Sequence, residues 1–150
     1  MNACAFFGSR SWNVAEEKEA LKESILLLIE KYAVTQFYSG GRGIFDETAS
    51  MLVGELREKY PHIKNTLVLS YLPTKSGKNK LPKAYTDSVY LLQRRVPFRY
   101  AVIETNKAMV DKVEFIVTST KGSFGGARKA CDYAEKKGKK IFDLSKKIPL

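Results

Sequence analysis

The feature that most constrains this chain is an alternation of two periodicities. Short runs of apolar, aromatic or β-branched residues trade places with longer stretches whose apolar residues recur every three or four positions. "ACAFFGS" (3–9) suits a buried strand. Asn13, with Glu16 three places on, resembles a capping box, and the stretch 14–32 sets Leu21, Ile25, Leu28, Ile29 and Tyr32 on one helical face. "TQFYSGG" (35–41) reads as a second strand and 44–59 as a second helix carrying Met51, Leu52 and Leu56. "TLVLSYL" (66–72) is a third strand that stops at Pro73. From 73 to 97 the pattern fails: the run is polar and marked by prolines, with at most a short strand or turn at 89–92. A helix over 98–110, the strand "KVEFIVTST", a helix over 126–137 and the strand "KKIFDL" complete the chain.

Strands that alternate with helices imply right-handed crossovers and a mainly parallel sheet covered on both faces. The expected fold is therefore α/β, a Rossmann-like three-layer sandwich whose mainly parallel sheet has about five strands. At 150 residues the chain has the length of one domain, 1–150, with a single core. Its first residues lack the pattern of a secretory signal, and no apolar run approaches the roughly 20 residues that span a bilayer, so a cytoplasmic location is expected. Cys4 and Cys131 have neither the spacing of a metal knuckle nor the number of a disulfide framework; both read as buried thiols, and no metal or cofactor is expected. His62, the sole histidine, follows Pro61 in a connector and reads as a surface residue.

In such sheets ligands bind at the carboxyl ends of the strands, where the strand order reverses. Three strand ends here carry unusual turns: "FGSR" with Gly8, Ser9 and Arg10; "SGGRG" with Gly40, Gly41, Arg42 and Gly43; and "TSTKGSFGGA" with Gly125 and Gly126. Parallel strands bring all three to one edge. Small residues there let backbone N–H groups approach a ligand, and the free N–H groups of the following helices suit an anion. Arg10 and Arg42 add the prospect of bidentate contacts to phosphate. The Walker run GxxxxGK[ST] is absent, and Asp46 and Glu47 put two carboxylates in the first turn of the second helix, where a polyphosphate would meet repulsion. Asp46 can instead accept from ribose hydroxyls, coordinate a metal or stabilise the helix end.

The formal net charge of +10 is unevenly placed. Residues 71–100 carry seven Lys or Arg against one acid, and residues 121–150 carry nine against three. Basic charge gathered in two stretches suits an anionic partner. The polar connector 73–97, with Lys75, Lys78, Lys80 and Lys83, reads as a mobile lid over the pocket.

At the glycine turns the sequence resembles a known family. "FFGSR", "FYSGGRGIFDETA", "LREKYPHIKNTLVLSYLP", "NKAMVDKVEFIVT" and "GGARKACDYAEKKGKKIFDL" are similar, in that order, to the small stand-alone members of the SLOG superfamily. The resemblance covers nearly the whole chain. It implies a Rossmann-like fold with a site for nucleotides or nucleotide-derived molecules, and a homodimer. Under it, Gly8, Ser9 and Arg10 close one side of the pocket, and Gly40, Gly41 and Gly43 form a second wall with Arg42. Gly125 and Gly126 offer N–H groups to a phosphate, and Asn106 and Asp111 brace the pocket. Where relatives tend to read "GHR" this chain has Gly8, Ser9 and Arg10, and where they read "RNRWMVD" it has residues 105–111, "TNKAMVD". The "PGGxGTxxE" turn of the LOG-type hydrolases, with its catalytic glutamate, is matched only by "FGGARKA".

The leading expectation is a nucleotide-type ligand-binding domain or sensor. An alternative is a LOG-like hydrolase that cleaves the N-glycosidic bond of a nucleoside monophosphate, with Asp46 or Glu47 as its carboxylate. Little such activity is expected, because "FGGARKA" carries no acid. A further alternative is nucleic-acid binding by "KSGKNKLPK" and the lysine-rich C-terminal helix, with Tyr85, Tyr90 and Tyr100 stacking on bases.

Overall fold

The computed structural model describes residues 2–9, 12–72, 81–119 and 125–146. In chain order the elements are β1 (Asn2–Gly8), α1 (Val14–Glu30), β2 (Val34–Ser39), α2 (Gly43–Leu56), β3 (Lys64–Leu69), β4 (Asp87–Tyr90), a 3₁₀ turn (Phe98–Tyr100), α3 (Ala101–Lys112), β5 (Phe115–Ser119), α4 (Gly126–Lys136) and β6 (Lys140–Asp143). The six strands lie in the order β4-β3-β2-β1-β5-β6, and every neighbouring pair is parallel. The sheet thus has one strand more than the expected five.

The extra strand is β4. Its four residues, "DSVY", are half polar and half exposed, so periodicity alone does not reveal it. Tertiary contacts make it a strand. Asn65 donates its side-chain amide to the carbonyls of Ser50 and Ala84 at 3.0 and 2.9 Å, and Thr86 donates its hydroxyl to the Asn65 carbonyl at 3.0 Å. These bonds draw the chain back along β3 before β4 begins. Of the expected lid, Lys75, Lys78 and Lys80 lie outside the described residues. Residues 84–90 of that connector are tied to the sheet, with Tyr85 buried and β4 paired to β3, so this part of it is not a lid.

Side chains alternate across the central strand and divide the core into two layers. Cys4 and Phe6 of β1 face α1 and α2 and pack with Leu21, Ile25, Leu28, Phe45, Leu52 and Phe37, the Phe6 and Phe37 rings stacking at 5.9 Å. Ala3, Ala5 and Phe7 face α3 and α4 and pack with Met109, Val110, Ala130 and Ala134. Both cysteines are buried free thiols, and burial pushes each thiol up from its ordinary value. His62 is exposed. No helix among the described residues is long and apolar enough to cross a membrane.

The α1–β2 turn contains one backbone anomaly, Ala33, exposed at φ 54°. An L-residue with a Cβ is disfavoured there and glycine is not. Ala33→Gly is expected to raise stability by roughly 0.5 kcal/mol, since relief of strain outweighs the added freedom of the unfolded chain. A urea denaturation midpoint measures this, and a lowered midpoint would contradict it.

Candidate functional site

From β1 the chain moves outward through β2, β3 and β4, then crosses to the other side of β1 to form β5 and β6. The order therefore reverses between β1 and β5, and the carboxyl ends beside that point are where such sheets bind ligands. A cavity of about 490 Å³ opens there, within the range of small-molecule sites. It is lined by the ends of β1 (Gly8, Ser9), β2 (Gly40, Arg42) and β3 (Ser70), by Asp46 of α2, by Thr105 and Asn106 of α3, and by Gly126 at the start of α4.

Gly8 is dictated by packing. A Cβ at this position would overlap the ring of Phe45, which is fully buried at the start of α2. Phe45 in turn meets Trp12 edge-on at 5.0 Å. The Trp12 indole N–H donates to Glu17 at 2.6 Å, and the same carboxylate oxygen accepts from the Ser119 hydroxyl at 2.6 Å. Glu17 thus clamps the exit of β1 to the end of β5 and fixes the two edges of the switch point.

The β2–α2 turn is held from both sides. Gly40 and Arg42 donate their backbone N–H groups to the Asp46 carboxylate, the second at 3.1 Å. Behind the turn, the Ser39 and Tyr85 hydroxyls meet at 2.7 Å. Gly41 sits between, at φ 66°, and a Cβ there would come within 2.7 Å of Leu67. Its freedom serves the turn, and it faces β3 and Tyr85, not the cavity. Asp46 is buried, and burial pushes its carboxyl up to about 7; the N–H groups of Arg42 and Gly40 and the Arg42 guanidinium pull the other way, and Glu47 adds to the rise.

On the opposite wall, Gly125 takes φ 94°, ψ −140°, a conformation open essentially to glycine alone, and turns the chain so that α4 starts at the cavity. A Cβ on Gly126 would stand 3.8 Å from the Asn106 amide. One residue before Asn106, the Thr105 hydroxyl is buried without a hydrogen-bond partner. A buried unsatisfied hydroxyl costs about 1–3 kcal/mol, so this one marks either stored strain or a group that something else completes.

Of the residues singled out from sequence, Gly8, Ser9, Gly40, Arg42, Asn106, Gly126 and Asp46 meet around one cavity, whereas Gly41, Gly43 and Gly125 shape the turns beside it. Arg10 lies outside the described residues. Glu47 is exposed and does not line the cavity. Asp111 is at the far end of α3, accepting from the Tyr133 hydroxyl at 2.8 Å. Tyr85 is buried against Ser39, so it is unavailable for stacking on a base; Tyr90 is half-buried and Tyr100 exposed. Thr105, Ser70 and Trp12 were not anticipated. Thr105 did leave a trace, as the polar member of the buried stripe Ala101, Thr105, Met109 at four-residue spacing. Among the described residues no group of three or more His, Cys, Asp or Glu side chains is placed to hold a metal ion.

No family model matches the chain, and no curated protein does. Solved structures do. Over 95% of its length the chain is similar to DNA processing protein A (DprA) from Streptococcus pneumoniae, with a TM-score of 0.65 and 15% identity, covering 50% of that chain. DprA from Helicobacter pylori, described for its single-stranded DNA binding mode, matches over 95% of this chain and 64% of its own at TM-score 0.60 and 15% identity. The molybdenum cofactor carrier protein from Chlamydomonas reinhardtii matches over 94% and 75% at TM-score 0.55 and 12% identity. At such identities the likeness is one of fold: the chain has the Rossmann-like architecture that its resemblance to the SLOG superfamily implies, and it spans about half the length of the pneumococcal protein.

Proposed function

We propose that the chain is a ligand-binding or sensor domain that takes a nucleotide or nucleotide-derived small molecule in the cavity at the carboxyl edge of β1, β2 and β3. The observation that carries this reading is the buried, unpartnered hydroxyl of Thr105, a residue that lines the cavity together with Asn106 and the start of α4. Hydroxyl, amide and helix N–H groups together suit the oxygens of a phosphate or a ribose. Arg42 adds a cation at the cavity wall. Two of the neighbours in fold are named for binding single-stranded DNA or for carrying a cofactor, which is consistent with a site of this kind.

The test is a thermal-shift screen of nucleotides on wild type and Thr105→Val. Without ligand, the variant is expected to be as stable as wild type or about 1 kcal/mol more so, because a near-isosteric methyl replaces an unsatisfied hydroxyl. With a ligand at 100 times its dissociation constant, wild type gains about 2.7 kcal/mol, and the variant gains measurably less. Equal gains in both proteins would refute this placement of the ligand.

A second reading rests on Asp46. A carboxyl in a ligand cavity with a pKa near 7 is poised for proton transfer, which hydrolysis of an N-glycosidic bond requires. The turn at the start of α4 supplies no second acid, so base release from adenosine monophosphate is expected to be slow or absent. Robust release that vanishes in Asp46→Asn would establish the hydrolase instead.

A further inference from the structure

A second hollow, of about 580 Å³, opens beside the cavity, and Ser70 lines both. Its wall is aromatic. The rings of Tyr71 and Phe98 stack at 4.7 Å with an interplanar angle of 21°, yet Phe98 is 77% exposed and Tyr71 is 39% exposed. A phenyl ring left this open to water forgoes the gain of burial. The stack is a flat shelf with a free outer face. It is also cationic: the Arg42 guanidinium lies 5.6 Å from the Tyr71 ring centroid, Arg95 lines the hollow, and residues 91–100 contain three arginines and no acid. An aromatic shelf among arginines favours a planar ring that belongs to an anion over a purely apolar partner.

The spacing between shelf and cavity narrows the ligand further. Phe98 and Asn106 are separated by three residues of 3₁₀ rise and five of helical rise, about 13 Å along the axis. The cavity runs back along α3 to Val102, but for a phosphate held at its far end, beside Asn106 and Gly126, this is farther than its own base reaches and within reach of the second base of a dinucleotide. Arg42 lines the cavity and reaches over Tyr71, so with Ser70 it stands at the junction where a linking phosphodiester would fall.

Building on the nucleotide reading of the cavity, we propose that the ligand is a 5′-phosphorylated dinucleotide, its phosphate end beside Asn106 and Gly126 and its distal base stacked on the outer face of Phe98, which Tyr71 backs from the other side. The shelf is then a specificity subsite that selects a two-base ligand over a mononucleotide.

Calorimetric titration of the full chain with 5′-phosphorylated diadenylate and with adenosine monophosphate tests this on wild type, Phe98→Ala and Asn106→Ala. Wild type is expected to prefer the dinucleotide by tenfold or more. Phe98→Ala, at an exposed position and so without consequence for folding, is expected to lose about tenfold for the dinucleotide and less than twofold for the mononucleotide. Asn106→Ala is expected to weaken both probes alike. If Phe98→Ala leaves the preference intact while Asn106→Ala weakens both, the shelf is overturned and the cavity reading stands. If wild type binds neither probe, or Asn106→Ala changes neither, the cavity reading falls and the subsite with it. Binding only of longer single strands, lost steeply with added salt, would overturn the proposal in favour of a nucleic-acid surface.

Discussion

Gly8→Ala is expected to destabilise the protein by about 3 kcal/mol or more, although it adds a single methyl group at the mouth of the cavity. The new Cβ would overlap three atoms of the Phe45 side chain, including its Cβ, so rotating the ring does not relieve the clash. The Phe45 backbone sits on α2 and its ring is pinned by Trp12 at 5.0 Å. The helix would have to move away from β1, and overpacking of this kind costs 1–3 kcal/mol or more. A double-mutant cycle separates this cause from a generic intolerance of β1. Phe45→Ala alone is expected to cost about 3–5 kcal/mol. Added to it, Gly8→Ala is expected to cost less than in wild type, because the ring carbons it would overlap are gone and only the close approach to the Cβ at position 45 remains. Denaturant unfolding of the four proteins measures the coupling. If the two losses simply add, Phe45 is not what makes glycine necessary at position 8.

The same position shows what the sequence could and could not convey. "FGSR" after an apolar run marks a strand end at a tight approach, and the glycine is needed for one. The close neighbour is a phenyl ring 37 residues away, which only the packing of α2 on β1 reveals. The order and type of the strands and helices were legible because their periodicity is local: β1, β2, β3 and β5 are apolar runs, and α1 and α4 begin near their expected starts. β4 was legible only as a short strand or turn at 89–92, because a polar edge strand is specified by Asn65 and Thr86 bonding across 21 residues. The site divides in the same way. Gly40, Arg42 and Gly126 declared themselves through turn chemistry, whereas the Tyr71–Phe98 shelf joins residues from two segments with no shared pattern. Asp46 was legible as a carboxylate at a helix start, but not as a buried one, since burial depends on how α2 seats against the sheet.

The burial of Asp46 leads to the other large expected effect, a fall in stability with rising pH that Asp46→Asn removes. The folded carboxyl titrates near 7 and the unfolded one at its ordinary value of 3.8, with burial the main cause and the Arg42 and Glu47 charges acting in opposite directions. Between those values the folded protein keeps a proton that the unfolded chain releases. The contribution of this group is thus fully present below about pH 4, is lost as pH rises to about 7, and is flat above. Its full span is on the order of 4 kcal/mol. Asparagine carries no charge at any pH and retains one acceptor for the N–H groups of the turn. The stability of Asp46→Asn relative to wild type is therefore expected to improve steadily from pH 4 to pH 8, by an amount approaching that span. Other titrating groups cancel in the difference. The same titration acts on the ligand: below pH 7 a neutral Asp46 tolerates a phosphate in the cavity, and above it the carboxylate repels one. Nucleotide affinity is expected to weaken as pH passes 7 in wild type and to stay level in Asp46→Asn. Parallel stability curves for the two proteins would show that Asp46 is charged throughout, and the repulsion would then operate at every pH.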